Sequence, residues 1–317
     1  MLFPEILQGG RQFSPVQSML LPWLCILLIF TQFQFRFSIL SELQQLSLFL
    51  HHGCLDQLPN SSTSQATLAA LVCGKNFESF SDRQLYSATG LIHLFVVSGS
   101  HLILIQKILT QISQFFFNKF FVGGLVVLLF LYAAMCLFNP PVTRSFIFLL
   151  ISLGLHGNHQ HWPKHYILLL AGLSTISLNY QWVNSLSLQM SWLAALVLEI
   201  YAEKFKSFSI FFRQIIFYTS FTFCFLGLGF PQISTIVICV LVTPLLEYIL
   251  FPFALLTVIF HPLEPLFSYL LISLNKSLAA FEFFSRPSYL EISTVSFLNW
   301  ALIFLCHFIL FFRKPRS

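Results

Sequence analysis

The chemistry-bearing residues of this chain gather first in Thr89-Gly90-Leu91-Ile92-His93-Leu94-Phe95-Val96-Val97-Ser98-Gly99-Ser100-His101, where His and Ser interrupt an apolar stretch. His93 and His101 are two helical steps of four apart, so on a helix both lean toward a similar face. Ser98 and an imidazole could form a nucleophile and base, but the stretch holds no Asp or Glu to orient the base. Two His without a nearby carboxylate also make an incomplete zinc set. Two readings stay open: polar lining for a pore or substrate path, and hydrogen bonding between helices. In either case Gly99 permits close approach of a neighbouring helix. No catalytic residue, metal set or cofactor is assigned.

Three other places put polar groups where apolar ones prevail. Pro140-Pro141-Val142-Thr143-Arg144-Ser145 suits a helix start, because proline is favoured in the first turn. Arg144 then either snorkels to headgroups or stands as a fixed cation for an anionic substrate. In Gln189-Met190-Ser191-Trp192, Gln189 and Ser191 read equally as interhelical bonding or pore lining. Lys276, beside Asn275 deep in an apolar run, is expected to face the interior, with Glu282, Glu199 or Glu247 as partner. His156, His159, His161 and His165 fit no usual ligand spacing and read as a solvated loop.

These groups need positioning elements, and the composition says which kind. Hydrophobic residues make up 57% of the 317-residue chain and charged residues 9%, with a mean hydropathy of +0.82. So few charges cannot cover a soluble surface. The apolar residues come in runs long enough to cross a bilayer as helices. The expected fold is therefore all-α, a polytopic transmembrane bundle of about ten spans, near 19–35, 88–111, 120–138, 142–156, 165–179, 186–202, 210–228, 233–260, 263–285 and 295–312. The first is read as a retained span without a cleavage site. Pro244 and Pro252 predict a kink or break in the eighth.

Orientation follows from Lys and Arg, which concentrate on the cytoplasmic side. With the N-terminus inside, Arg11, Lys107, Lys119, Lys164, Lys204, Lys206, Arg213, Arg313, Lys314 and Arg316 are inside, against Arg36, Lys75, Arg83 and Arg286 outside. Both termini are then cytoplasmic. Strict alternation places 138–142 outside and 260–263 inside. The division is 1–36, a tail and first span; 37–87, an extracytoplasmic loop; and 88–317, the membrane core. In the loop, Leu40, Leu43, Leu46, Phe49 and Leu50 make one apolar helical face, expected along the membrane interface. Ala66–Val72 forms a second short helix, stopped by Gly74. Cys54 and Cys73 lie in this loop and either pair or stay free, according to compartment. Cys25, Cys136, Cys224, Cys239 and Cys306 read as small core hydrophobes.

The segment from Thr89 to His101 resembles the signature of the ComEC family, the DNA-uptake channel proteins of natural competence. Its pattern runs roughly Gly-Leu-x-His-Leu, three apolar residues, Ser-Gly-x-His. Ala66–Lys75, Pro140–Arg144, Gln189–Ala194 and the proline-interrupted run with Pro244 and Pro252 resemble further family segments in the same order. Ser100, Pro141, Ser145 and Cys239 depart from the pattern. The family's soluble regions have no counterpart here: no His-x-His-x-Asp-His occurs, and 36–87 is too short for a barrel. The chain resembles the membrane domain alone.

The resemblance implies a non-enzymatic channel in the bacterial inner membrane that moves single-stranded DNA into the cytoplasm. His93, Ser98, Gly99, His101, Arg144, Gln189, Ser191 and Lys276 are the candidate lining. Implied partners are single-stranded DNA, membrane lipid, a separate nuclease, a DNA receptor and a cytoplasmic DNA-handling motor. A transporter of a smaller anion and a degenerate scaffold of an uptake complex are the alternatives.

Overall fold

A computed structural model describes residues 39–59, 64–75, 85–86, 89, 91, 99–113, 119–157, 162–204, 212, 215–216, 233–282 and 292–312. These residues are helical, without strands. Helices α1 (Ile39–Asp56) and α2 (Gln65–Val72) lie in the 37–87 segment. The core follows as α3 (Gly99–Ser113), α4 (Lys119–Met135), α5 (Pro140–Gly157), α6 (Lys164–Leu178), α7 (Leu186–Lys204), α8 (Ile233–Leu245), α9 (Phe251–Ile259), α10 (Glu264–Glu282) and α11 (Ile292–Phe311). Helical runs thus stand at eight of the expected spans. The expected spans 19–35 and 210–228 lie outside the described residues, apart from 212 and 215–216.

The expected span 88–111 starts too early. Thr89 is a turn and Leu91 is not helical. Leu91 N–H donates to Tyr86 O, five residues back, at 2.8 Å. A bond of that length closes a helix end rather than extending it. In the eighth run, α8 passes into a π-turn at Leu246–Leu250 and on into α9, so the prolines loosen the helix without breaking it. The stretch Val237–Ile259 is long and apolar enough to cross a membrane. Val122–Met135, Pro140–Leu155, Lys164–Leu178, Leu186–Tyr201 and Val295–Phe311 are shorter apolar helices.

The α4–α5 turn shows how local chemistry sets a helix end. Phe138 N–H donates to Ala133 O and Leu137 N–H to Ala134 O, each at 2.9 Å. This is a Schellman closure, whose first residue past the cap is left-handed. Leu137 takes that conformation at φ 55° and Phe138 follows at 45°. Pro140 opens α5, where a missing N–H costs nothing.

The apolar interior divides into three clusters. One joins α1 and α2 to α8, α9 and α10 through Leu68, Leu71, Leu246, Leu250, Phe267 and Leu274. The second joins α3, α4 and α5 through Leu102, Leu129, Val142 and Phe146, and Phe251 of α9 also enters it. The third joins α6, α7 and α11 around Trp192 and Ile303.

Cys54 and Cys73 are joined by a disulfide, with Cα atoms 5.9 Å apart. The bond ties the end of α1 to the end of α2. Among the described side chains of α1, the buried ones are not leucines but Ser47, His51 and Cys54. Ser47 Oγ donates to Ala134 O at 2.7 Å, and His51 Nδ1 lies 3.0 Å from Met135 O. Those carbonyls end α4: Ala134 O takes the Ser47 bond beside the closing one from Leu137 N–H. Leu46 and Phe49 face outward, Phe49 at 75% exposure.

The same segment reaches a second turn. His261 Nε2 donates to Gln57 O at 2.8 Å, and Ser64 Oγ donates to Glu264 Oε1 at 2.9 Å. At its other end, Asn139 Nδ2 donates to Gly74 O at 3.2 Å. The 8 residues of α2 between these contacts rise only about 12 Å. A hydrocarbon core is about 30 Å thick. The 138–142 and 260–263 turns therefore lie at one end of the bundle, and strict alternation, which separated them, is corrected.

Candidate functional site

Arg144 sits in the second turn of α5, with 5% of its surface exposed. Its Nε and Nη2 donate to Ser191 Oγ of α7 at 3.2 and 3.0 Å. Nη2 also lies 3.5 Å from Ser145 Oγ. Among the described residues Arg144 makes no ion pair, and its bonds are to neutral hydroxyls. An Arg at a helix centre costs about 2.5–3.5 kcal/mol in a membrane. Arg144 stands nearer the helix start, and a buried cation with no carboxylate partner among the described residues has its charge available for an anion.

Gly99 meets this cluster from α3. A Cβ there would collide with Ser145 Oγ and lie 3.0 Å from Ser145 Cβ. The glycine is what lets α3 and α5 touch. Two residues on, His101 is buried at 2% exposure and stacks on Phe251 of α9, ring centres 4.1 Å apart and planes at 11°. The end of the signature thus contacts the cation's helix through Gly99 and the proline-flanked run through His101. His93 and Ser98 lie outside the described residues.

Gln189 does not join this cluster. On a helix, residues two apart point in nearly opposite directions. Ser191 faces α5, and Gln189 faces α11. Gln189 Nε2 donates to Val183 O at 2.8 Å and Ser296 Oγ at 2.6 Å. Its Oε1 accepts from Asn299 Nδ2 at 3.3 Å. Trp300 Nε1 donates to Val183 O at 3.1 Å. Gln189 is fully buried and its amide is saturated by protein, which is interhelical bonding. Ser296 and Asn299 escape notice in the sequence, although their spacing of three places them on one face of α11.

Lys276 is also placed apart. Phe267, Leu271, Leu274 and Leu278 make the buried stripe of α10, and Lys276 falls on the exposed side. The neighbouring Asn275 takes the polar contact, accepting from Tyr86 Oη at 2.7 Å. Glu199, considered as a partner for Lys276, pairs with Lys164 at 3.7 Å. The expected interior lysine is corrected: the helix turns its leucines inward and leaves Lys276 out.

A further cluster centres on Trp192. Its Nε1 donates to His307 Nε2 at 3.1 Å, and its ring meets Trp300 edge-on at 5.7 Å. The ring lies on Gly172 of α6, where a Cβ would overlap the indole. Of the four-histidine loop, His165 is described, its ring tilted over Tyr166 at 4.5 Å. His159 and His161 lie outside the described residues, as does the His156 side chain.

The model of a protein family described as "Competence protein" matches residues 71–316, and so spans α3 to α11 and the end of α2. No curated protein and no solved structure matches the chain. The match covers the signature, Arg144, Gln189, Ser191 and the proline-flanked run together. The chain belongs to the competence protein family, the family of DNA uptake in natural competence.

Proposed function

We propose that the chain forms a membrane passage through which single-stranded DNA enters the cytoplasm, with the seam between α3, α5 and α7 as its cationic station. The observation that carries this is Arg144, a buried guanidinium held by hydroxyls rather than by a carboxylate. A single strand brings phosphates that need fixed cations and donors along a wet path. Arg144 would meet the phosphate, Ser191 and Ser145 would hold the fork, and Gly99 would set the α3–α5 spacing. Gln189 would brace α7 from behind.

A multi-pass membrane location supports the same reading. The outer faces of the helices carry large apolar side chains, among them Phe297, Phe304 and Phe308 on α11. Such surfaces suit hydrocarbon rather than water. The turns at 138–142 and 260–263 would share the extracytoplasmic side with the disulfide. The end of α11 would lie on the cytoplasmic side, since Phe311 packs against Tyr166 at the start of α6, 6.2 Å between rings. Degradation of the second strand, its capture outside and its pulling inside would fall to a separate nuclease, a DNA receptor and a cytoplasmic motor.

Labelled-DNA entry into competent cells tests this. Deletion should abolish entry, and Arg144→Ala should reduce it at least tenfold while the protein remains in the membrane. Normal entry in the deletion strain would end the DNA reading. Normal DNA entry with loss of a small anion's transport would favour the smaller solute instead.

A further inference from the structure

We propose that Phe251 is the gate of this passage, closed on His101 and released by a register shift in the π-turn that precedes it. The inference rests on the passage described above and adds its moving part. The continuous run from α8 to α9 carries Pro244 and Pro252 on either side of the π-turn Leu246–Leu250. Each proline leaves the carbonyl four residues earlier without its helical donor. A π-turn holds one residue more than an α-turn, and such turns recur at functional sites. Moving that extra residue past Phe251 would rotate the side chain by about 100° around the helix axis.

The packing of the run fits a swing of this kind. Leu246, Leu250 and Ala254 lie at intervals of four and pack into the cluster of α1, α2 and α10. Phe251 is fully buried in the cluster of α3, α4 and α5, and Leu255, one turn on, packs partly buried against the same cluster. These two side chains tie the run to that cluster, and Phe251 is the deeper of them. Its contact there is the ring of His101, two residues from the Gly99 that touches the Arg144 cluster.

The test uses the full chain in proteoliposomes, with iodide influx as the probe, and the same variants in competent cells. Phe251→Ala should raise iodide leak at least tenfold over the wild type, and Phe251→Leu should raise it less. A His101→Cys/Phe251→Cys pair, bridged by a short reducible bis-thiosulfonate, should hold iodide influx at the wild-type level. The bridge should also block DNA entry until a reductant is added. Wild-type leak in a folded, monodisperse Phe251→Ala protein would overturn the gate. If that variant does not fold, the bridged pair decides: full bridging with undiminished iodide influx after Arg144-dependent opening by DNA, or undiminished DNA entry, would overturn it. Iodide leak reports the gate even if the deletion strain imports DNA normally, so failure of the DNA reading is a separate outcome.

Discussion

Arg144 on α5 and Ser191 on α7 are bound through two guanidinium nitrogens to one hydroxyl, at 3.2 and 3.0 Å. The bond crosses between two of the three apolar clusters, so it positions a charge and joins two helices at once. Hydrogen bonds to charged groups contribute about 1.5–3 kcal/mol.

Arg144→Lys should fail to restore the site, because an ammonium cannot present two donors in a fixed plane. DNA entry is expected to fall about as far as with Arg144→Ala, and Ser191→Ala should lower it less. The double variant Arg144→Ala/Ser191→Ala should lose little beyond Arg144→Ala alone. Additive losses in entry and in melting temperature would show that the two residues act separately.

Gln189 should behave as a brace. Gln189→Ala leaves Asn299 Nδ2 with the weak acceptor Met190 Sδ and Val183 O with Trp300, which should cost about 1–3 kcal/mol of stability. Ser296→Ala should cost less, since Gln189 keeps Val183 O. Thermal unfolding in detergent reads both. A Gln189→Ala protein of normal stability that imports no DNA would move Gln189 into the passage.

Gly172→Ala should disturb the α6–α7 contact, because the added methyl group meets the Trp192 ring. Overpacking of this kind costs about 1–3 kcal/mol. Trp192→Phe in the same chain should recover part of the loss by making room. An unchanged melting temperature in Gly172→Ala would mean that the helices separate freely.

The turn at 260–263 should be accessible from the same side as the 37–87 segment. A single cysteine replacing Leu263, in a chain whose free thiols are removed, should react in intact cells with a membrane-impermeant maleimide. A cysteine at Ser62 is the positive control. Labelling of Leu263→Cys only after the cells are opened would restore strict alternation.

The helical class was legible in the sequence because it depends on local quantities. Few charges and long apolar runs leave helices as the economical way to bond the backbone. Helix ends were legible where a proline or glycine imposes them, as at Pro140 and Gly74, which takes φ 75°. The start of α3 was less so, because the chain halts near Leu91 through a bond between backbone groups, with no special side chain at either end. The Leu46 and Phe49 face of α1 was visible as a pattern. That it turns away from the protein depended on Ser47 and His51 finding the end carbonyls of α4.

Sequence alone determined which residues resist the apolar pattern, and the family signature they compose. Tertiary structure decided which of them meet. Gln189 and Ser191 are two residues apart, yet one bonds Ser296 and the other Arg144. Lys276 was an interior cation by position and became an exposed one when α10 buried Leu274 and Leu278. The 260–263 turn changed ends because Ser64 reached Glu264. The physical reason is common to all three. Transfer into an apolar medium is a property of each residue and can be summed along the chain. The partner that satisfies a buried polar group lies tens to hundreds of residues away, and packing of whole helices selects it.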